Sequence, residues 1–290
     1  MSDTVFVNGV TLTDADWMND VNRLHYTIFG DPANLAAVQS VLLLSQFGAR
    51  GHLSGLTLSN NGSDVTNDID IAEGMARDST NAQNLVLAAS ITKRLDASWA
   101  VGTNQGGLDT GVIADDVYHV WLIKRSDTGV VDVLFSASAS SPSMPTNYDF
   151  RRRIGAIKRE SAAIVLFTQV GDTFIRSVIS GDVNAAACSA TAGLNSLSVP
   201  DGIKVTALIR GNLIATGGVG HLFTSPDESD QGAGSVGAYS LVCANNGEQA
   251  AGHFAVRTNT SGQIRSRSST TSGTYSVGTY GWIDRRGVND

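Results

Sequence analysis

The chain has 290 residues, room for two domains, and is 42% hydrophobic but only 16% charged, against roughly 25% charged in an average domain. Its net charge of −7 is the wrong sign for neutralising phosphates, which argues against nucleic acid as a principal partner. The 31 glycines and 5 prolines suit many short strands joined by tight turns, and the low charge suits a protomer that covers part of its surface with copies of itself.

Cys188 and Cys243 make neither a disulfide framework nor a CxxC pair and read as free, buried thiols of a reducing cytoplasm. No basic segment precedes an apolar core at the N-terminus, and no apolar run approaches the ~20 residues of a membrane span, so neither secretion by a signal peptide nor membrane insertion is expected.

In chain order, Val5-Phe6-Val7, Asn8-Gly9 and Val10-Thr11-Leu12 read as a strand, a turn and a short return. Thr13 followed by Asp16 resembles a capping box, and Trp17, Val21, Leu24 and Ile28 then recur at helical steps until Gly30 and Pro32 stop them. Residues 33–47 predict a second helix or an extended trimer-lining segment. Helices this short cannot bury their apolar faces alone, so Trp17, Val21, Leu24 and Ile28 are the candidate attachment or oligomer-interface residues.

From residue 53 onward the pattern is β-like. Strands are expected at 55–59, 85–95, 117–124, 130–137, 153–158 and 163–170, then at 203–209, 221–223, 238–243, 253–257, 263–268 and 280–284. Asn60-Asn61-Gly62, Gly106-Gly107, Ser126-Asp127-Thr128-Gly129, Asn245-Asn246-Gly247 and Ser261-Gly262 supply turn chemistry. The hairpin pairing 120–124 with 131–135 has the strongest local signal. The resulting organisation is a helical attachment segment at 1–52, a first β domain at 53–176, a linker at 177–197 rich in small and polar residues, and a second β domain at 198–290. The fold class is mainly β, with jelly-roll-like β-sandwich domains behind a short helical N-terminus.

Three stretches resemble bacteriophage tail-fibre and tail-associated proteins. One is Trp17-Met18-Asn19-Asp20-Val21-Asn22-Arg23 leading to Gly30-Asp31-Pro32. Another runs in order through Gly107-Leu108-Asp109-Thr110-Gly111, Tyr118-His119-Val120-Trp121, Pro145-Thr146-Asn147-Tyr148 and Arg152-Arg153-Ile154-Gly155. The last is Gln263-Ile264-Arg265-Ser266-Arg267 with Gly281-Trp282-Ile283-Asp284-Arg285-Arg286-Gly287. The resemblance implies a virion tail location after synthesis in the host cytoplasm, a homotrimer, other tail or baseplate proteins as neighbours, and a host-surface glycan or protein as target. It implies no particular receptor residue.

Chemistry is sparse. Gly232-Ala233-Gly234-Ser235-Val236-Gly237 spells GxGxxG, but an acidic stretch precedes it and a β-like one follows, so it reads as a loop. His25, His52, His119, His221 and His253 fall into no zinc spacing, and no GxSxG elbow occurs. Asp64, Asp68, Asp70 and Glu73 could hold a hard cation but lack EF-hand spacing, and with Asp227, Glu228 and Asp230 they read as solvated acidic loops. Arg151-Arg152-Arg153, with Lys158 and Arg159, read as exposed arginines at the start of a strand. Tyr239, Tyr275 and Tyr280 are the aromatics placed to stack on a sugar; Trp99, Tyr118, Trp121 and Trp282 read as core or interface. No catalytic residue and no cofactor is expected. The chain reads as a non-enzymatic binding protein, with a purely structural baseplate, collar or adaptor protein as the alternative and a small polysaccharide-degrading enzyme as the weaker one.

Overall fold

The computed structural model describes residues 5–7, 10–12, 50–232 and 239–286. Residues 1–49 and 50–290 are separate units. In the first, β1 (Val5–Val7) pairs antiparallel with β2 (Val10–Leu12), Val7 opposite Val10, as the sequence predicts. The helices expected at 13–30 and 33–47 lie outside the described residues, and Trp17, Val21, Leu24 and Ile28 with them. Among the described residues there is no helix, and therefore none able to cross a membrane.

Among the described residues the regular elements of the second unit are all strands. A three-stranded sheet contains β3 (Leu53–Gly55), β6 (Gly74–Arg77) and β7 (Asn84–Leu87). An eight-stranded sheet runs β13 (Ala163–Ile164), β12 (Tyr148–Glu160), β10 (Val117–Arg125), β11 (Val131–Ser136), β9 (Gln105–Leu108), β8 (Ile91–Ser98), β5 (Asp68–Ile71) and β4 (Leu58–Asn60). The expected hairpin is β10–β11, with Val120 opposite Phe135 and Lys124 opposite Val131. It closes through Arg125 N–H to the Val130 carbonyl, with Gly129 at φ 74°, a conformation that favours glycine.

β10 reads Val-Tyr-His-Val-Trp-Leu-Ile, apolar on both faces, as a strand covered on both sides requires. Tyr118, Val120 and Leu122 join the main core, while Trp121 and Ile123 pack with Leu134 and Tyr148 beneath Trp99 and Met144. Trp99 meets Tyr148 edge-on at 5.1 Å and donates its indole N–H to the Val133 carbonyl at 3.0 Å.

A five-stranded sheet follows, in the order β14 (Phe167–Val170), β15 (Thr173–Ala187), β22 (Gly273–Ile283), β17 (Thr206–Ala215) and β20 (Gln249–Arg257). A four-stranded sheet has the order β16 (Gly193–Ser196), β21 (Gln263–Ser268), β18 (Val219–Thr224) and β19 (Leu241–Cys243). Along β17, Ala207, Ile209, Leu213 and Ala215 are buried. They face inward with Gly211, where a Cβ would lie 2.5 Å from the Phe223 ring of β18. The two sheets thus form a β-sandwich-like pair in which glycine permits close approach. Cys188 and Cys243 are buried free thiols.

Two expectations are corrected. Residues 177–197 hold most of β15 and all of β16 rather than a linker. Their register against β22 shifts at three points, and these bulges erase the alternation that marks a strand in sequence. Gly106-Gly107 is not a turn but part of β9, parallel to β8 and β11. A Cβ on Gly106 would lie 2.0 Å from the Ser98 carbonyl, and one on Gly107 2.7 Å from the Phe135 ring, so glycine serves close approach there.

The β domains expected at 53–176 and 198–290 share one hydrophobic core, continuous from Leu56 to Trp282. At their junction Phe174 stacks on Trp282 at 5.5 Å, and a Cβ on Gly155 of β12 would come within 2.8 Å of Leu58 and 3.3 Å of Phe174. Stacked pairs of this kind contribute about 0.5–1.5 kcal/mol beyond the area they bury.

Candidate functional site

The four acidic residues near the start of the second unit do not converge. Asp64 accepts N–H bonds from Thr66 and Asn67 at 2.9 and 3.1 Å, shaping its own turn. Asp70 accepts from Asn61 at 2.8 Å and Thr92 at 2.6 Å, and Glu73 from Ser90 at 2.7 Å. Burial, then Asp64, raise the Asp68 pKa, with Arg94 opposing. Among the described residues no three His, Cys, Asp or Glu side chains gather as a metal site requires. Asp227 pairs with Lys204 and Arg257, and Asp230 with Arg267, so that second acidic stretch is clipped to neighbouring segments. Of the GxGxxG stretch, 233–237 lies outside the described residues.

The arginine run is a correction. Arg152 and Arg153 are buried, not exposed. Arg152 donates to the Arg286 carbonyl at 3.0 Å, Arg153 forks onto Asp284 at 2.6 Å, and Arg151 lies over the Trp121 ring at 5.8 Å. Alternation predicts exposure only where the far face of the strand is wet; here it meets the chain's C-terminal segment.

His221 sits in the sandwich core. Its Nδ1 contacts the Ser268 hydroxyl at 2.7 Å, its ring lies 4.2 Å from that of Tyr275, and Ser268 is fully buried. A closed ring of hydrogen bonds stands beside it, from the Asn195 amide to Ser266, from Ser266 to the Tyr275 hydroxyl, and from Tyr275 back to Asn195. Tyr275 is therefore a core residue rather than a sugar platform, and the Tyr239 ring packs where a Cβ on Gly220 would stand.

Burial holds both His119 and His221 down to a pKa of about 4, with Arg153 reinforcing the effect at His119 and Asp284 opposing it. An unfolded histidine titrates near 6.5. Between those values the unfolded chain binds more protons, so stability is full above pH 6.5 and falls as pH drops towards 4. By pH 5 each ring is expected to remove about 2 kcal/mol relative to pH 7. Urea unfolding across that range checks this, and a His119→Met/His221→Met chain should lose most of the slope.

Tyr280 stands beside a broad surface depression lined by Arg210, Asn212 and His253. The outward face of the five-stranded sheet carries a transverse row, Gly181 opposite Gly278, Gly278 opposite Arg210, and Arg210 opposite His253. A second row, Ser276, Asn212 and Ala251, lies alongside. Gly181 and Ala251 leave the floor low, the register of β15 shifts beside it, and Val183 lines it together with Ile179, which packs over Gly278. The groove encloses about 640 Å³. The Arg210 guanidinium lies over the Tyr280 ring at 5.9 Å, and the His253 ring lies 5.3 Å from it. Among the described residues Arg210 has no carboxylate partner, and none lining the groove is acidic. Arg210 and His253 escaped sequence reasoning. The available signal was the alternation of Thr206–Ala215, whose buried odd positions turn Arg210 and Asn212 to the opposite face.

No protein-family model and no curated protein matches the chain. Among solved structures, a chain of "Structure of infectious bursal disease virus Gx strain" is similar at a TM-score of 0.23 and 10% identity, covering 84% of this chain and 76% of that one. At that score the likeness carries no argument.

Proposed function

We propose that the chain is a bacteriophage tail protein, a fibre or spike-like component anchored by its N-terminal segment and presenting its β region to the host surface as a homotrimer. The observation carrying the binding part is the groove on the five-stranded sheet, where Arg210, His253 and Asn212 surround a low floor with no competing internal partner for the cation. Self-association is supported by Val170 and Val178, aliphatics left 71% and 73% exposed on β14 and β15. Three weak surface contacts joined in one trimer act through effective concentration, so modest single-site affinity suffices.

The test is adsorption. Labelled full-length protein is expected to bind host cells and to compete with phage, and light scattering to give a trimer mass. A lone monomer that neither binds cells nor occurs in virions would overturn the reading. Trp17→Ala and Leu24→Asp are expected to cut incorporation into particles while leaving the β-type circular dichroism in place. Normal incorporation of both would remove the anchoring role.

A further inference from the structure

We propose that the groove on the outward face of the five-stranded sheet binds a saccharide bearing a carboxylate, with Arg210 holding the acid group; this rests on the reading of the chain as a host-surface binding protein. The charge argument comes first. The chain as a whole has 27 acidic against 20 basic Lys and Arg side chains. Yet the residues lining this groove include Arg210 and His253 and no carboxylate. Arg210 and His253 stand directly opposite each other across β17 and β20, so the guanidinium and an imidazole able to hydrogen-bond share one strip of the face. An anion there meets a guanidinium that has no carboxylate partner among the described residues.

The shape argument follows. A guanidinium resting on an aromatic ring is held in one plane and keeps its edge free, and that fork matches a carboxylate through two parallel N–H bonds. The Arg210 guanidinium lies 5.9 Å from the Tyr280 ring centroid, within cation–π range. Beside it, Gly181, where nothing lies within 4 Å of an added Cβ, and Ala251 make a shallow apolar floor, fitted to the flat face of a sugar ring rather than to a bulky side chain, with Ile179 packed over Gly278 at its edge. Gly278 cannot readily be replaced, since a Cβ there would lie 2.9 Å from Ile179 and 3.0 Å from the Ser180 carbonyl. Asn212 and Asn184 line the same floor with side-chain amides that both donate and accept, as sugar hydroxyls require.

The experiment uses the full chain and three carboxylated probes, oligomers of galacturonic acid, of sialic acid and of a glucuronate-containing disaccharide, each beside its carboxyl-reduced form. At least one acidic probe is expected to bind in calorimetry and to lose at least about tenfold in affinity on carboxyl reduction. Arg210→Ala is expected to weaken it by a similar factor, since each tenfold step is about 1.4 kcal/mol, close to one charge-assisted fork. Arg210→Lys should fall between, keeping the charge but not the fork. Ala251→Trp, which fills the floor and leaves Arg210 and His253 in place, should also abolish binding. Arg210 and Ala251 are exposed, so circular dichroism and melting should be unchanged in these variants.

Binding of no acidic probe, equal binding of the reduced forms, or indifference to both Arg210→Ala and Ala251→Trp would overturn the inference. Cell adsorption measured in parallel separates it from the broader reading. Adsorption unaffected by Arg210→Ala removes the groove but keeps host recognition, whereas probe binding without adsorption keeps the groove and removes host recognition.

Discussion

Replacing Lys93 with methionine is expected to lower the unfolding free energy by about 3–5 kcal/mol, the usual consequence of stranding one member of a buried ion pair. Lys93 and Asp132 are 0% and 1% exposed and 3.1 Å apart. The ammonium also donates to the carbonyls of Ala100 at 2.6 Å and Gly102 at 3.2 Å, and it lies 5.4 Å from the Trp99 ring centroid. Asp132 in turn accepts the Gly102 N–H at 2.7 Å. The pair therefore ties the turn between β8 and β9 to β11. Burial lowers the Lys93 pKa and Asp132 raises it in opposition, so removing the carboxylate alone would push the lysine towards its neutral form. Methionine follows the path of the lysine stem, one atom shorter, but leaves a buried carboxylate uncompensated and the carbonyls of Ala100 and Gly102 without the ammonium donor. Adding Asp132→Asn to that background removes the stranded charge while keeping an acceptor for Gly102, and should recover about half of the loss. Chemical denaturation of the native chain and the two variants measures this. A loss below about 1 kcal/mol for Lys93→Met would show that water reaches the site.

That pair also marks where sequence reading stops. Local signals are legible at some sequence-adjacent strands but not at β5, β6 or β15, and residues 85–95 read as one strand where β7 and β8 are two. The β10–β11 hairpin, with its Asp-Thr-Gly turn, and β21, expected at 263–268, both follow from short-range alternation and turn residues. An unbroken apolar run in β10 likewise foretold burial, though not on which faces. Glycine was the main source of error, because its two uses look alike in a sequence. Gly129 supplies a positive φ, whereas Gly106 and Gly107 make room for the Ser98 carbonyl and the Phe135 ring. Only the strand order distinguishes them.

The candidate groove was hidden for the same reason. Its row crosses β15, β22, β17 and β20, strands far apart in the chain that become neighbours only through the order of the sheet. Arg210 and His253 face each other because of a register that no local pattern encodes. Of the three tyrosines that sequence places to stack on a sugar, Tyr239, Tyr275 and Tyr280, only Tyr280 stands beside this groove. The buried arginines failed in the opposite direction, since their sequence looks like a wet face while the C-terminal segment supplies the acid that makes burial tolerable.

Asp284→Ala is expected to cost about 3–5 kcal/mol as well, and to be separable from the Lys93 effect by its pH dependence. Arg153 donates from both terminal nitrogens to the two oxygens of Asp284 at 2.6 Å each, and the backbone N–H of Arg286 adds a third bond at 2.8 Å. Asp284 is 2% exposed. It lies two residues beyond Trp282, so the fork fixes the end of β22 to β12 beside the Phe174–Trp282 stack. Burial alone would raise the carboxyl pKa, but the Arg153 fork outweighs it and holds the group below its ordinary value of 3.8. The unfolded chain consequently takes up this proton first. The stabilisation is present above that ordinary value and is lost as pH falls below it, after the histidines have already titrated. In Asp284→Ala the limb below about pH 4 should flatten while the histidine limb between 6.5 and 4 persists, since Asp284 favours rather than opposes a charged His119. Equilibrium unfolding from pH 7 to pH 3 resolves the two windows. Unchanged slopes in both would mean that the fork contributes nothing to holding β22 against the eight-stranded sheet.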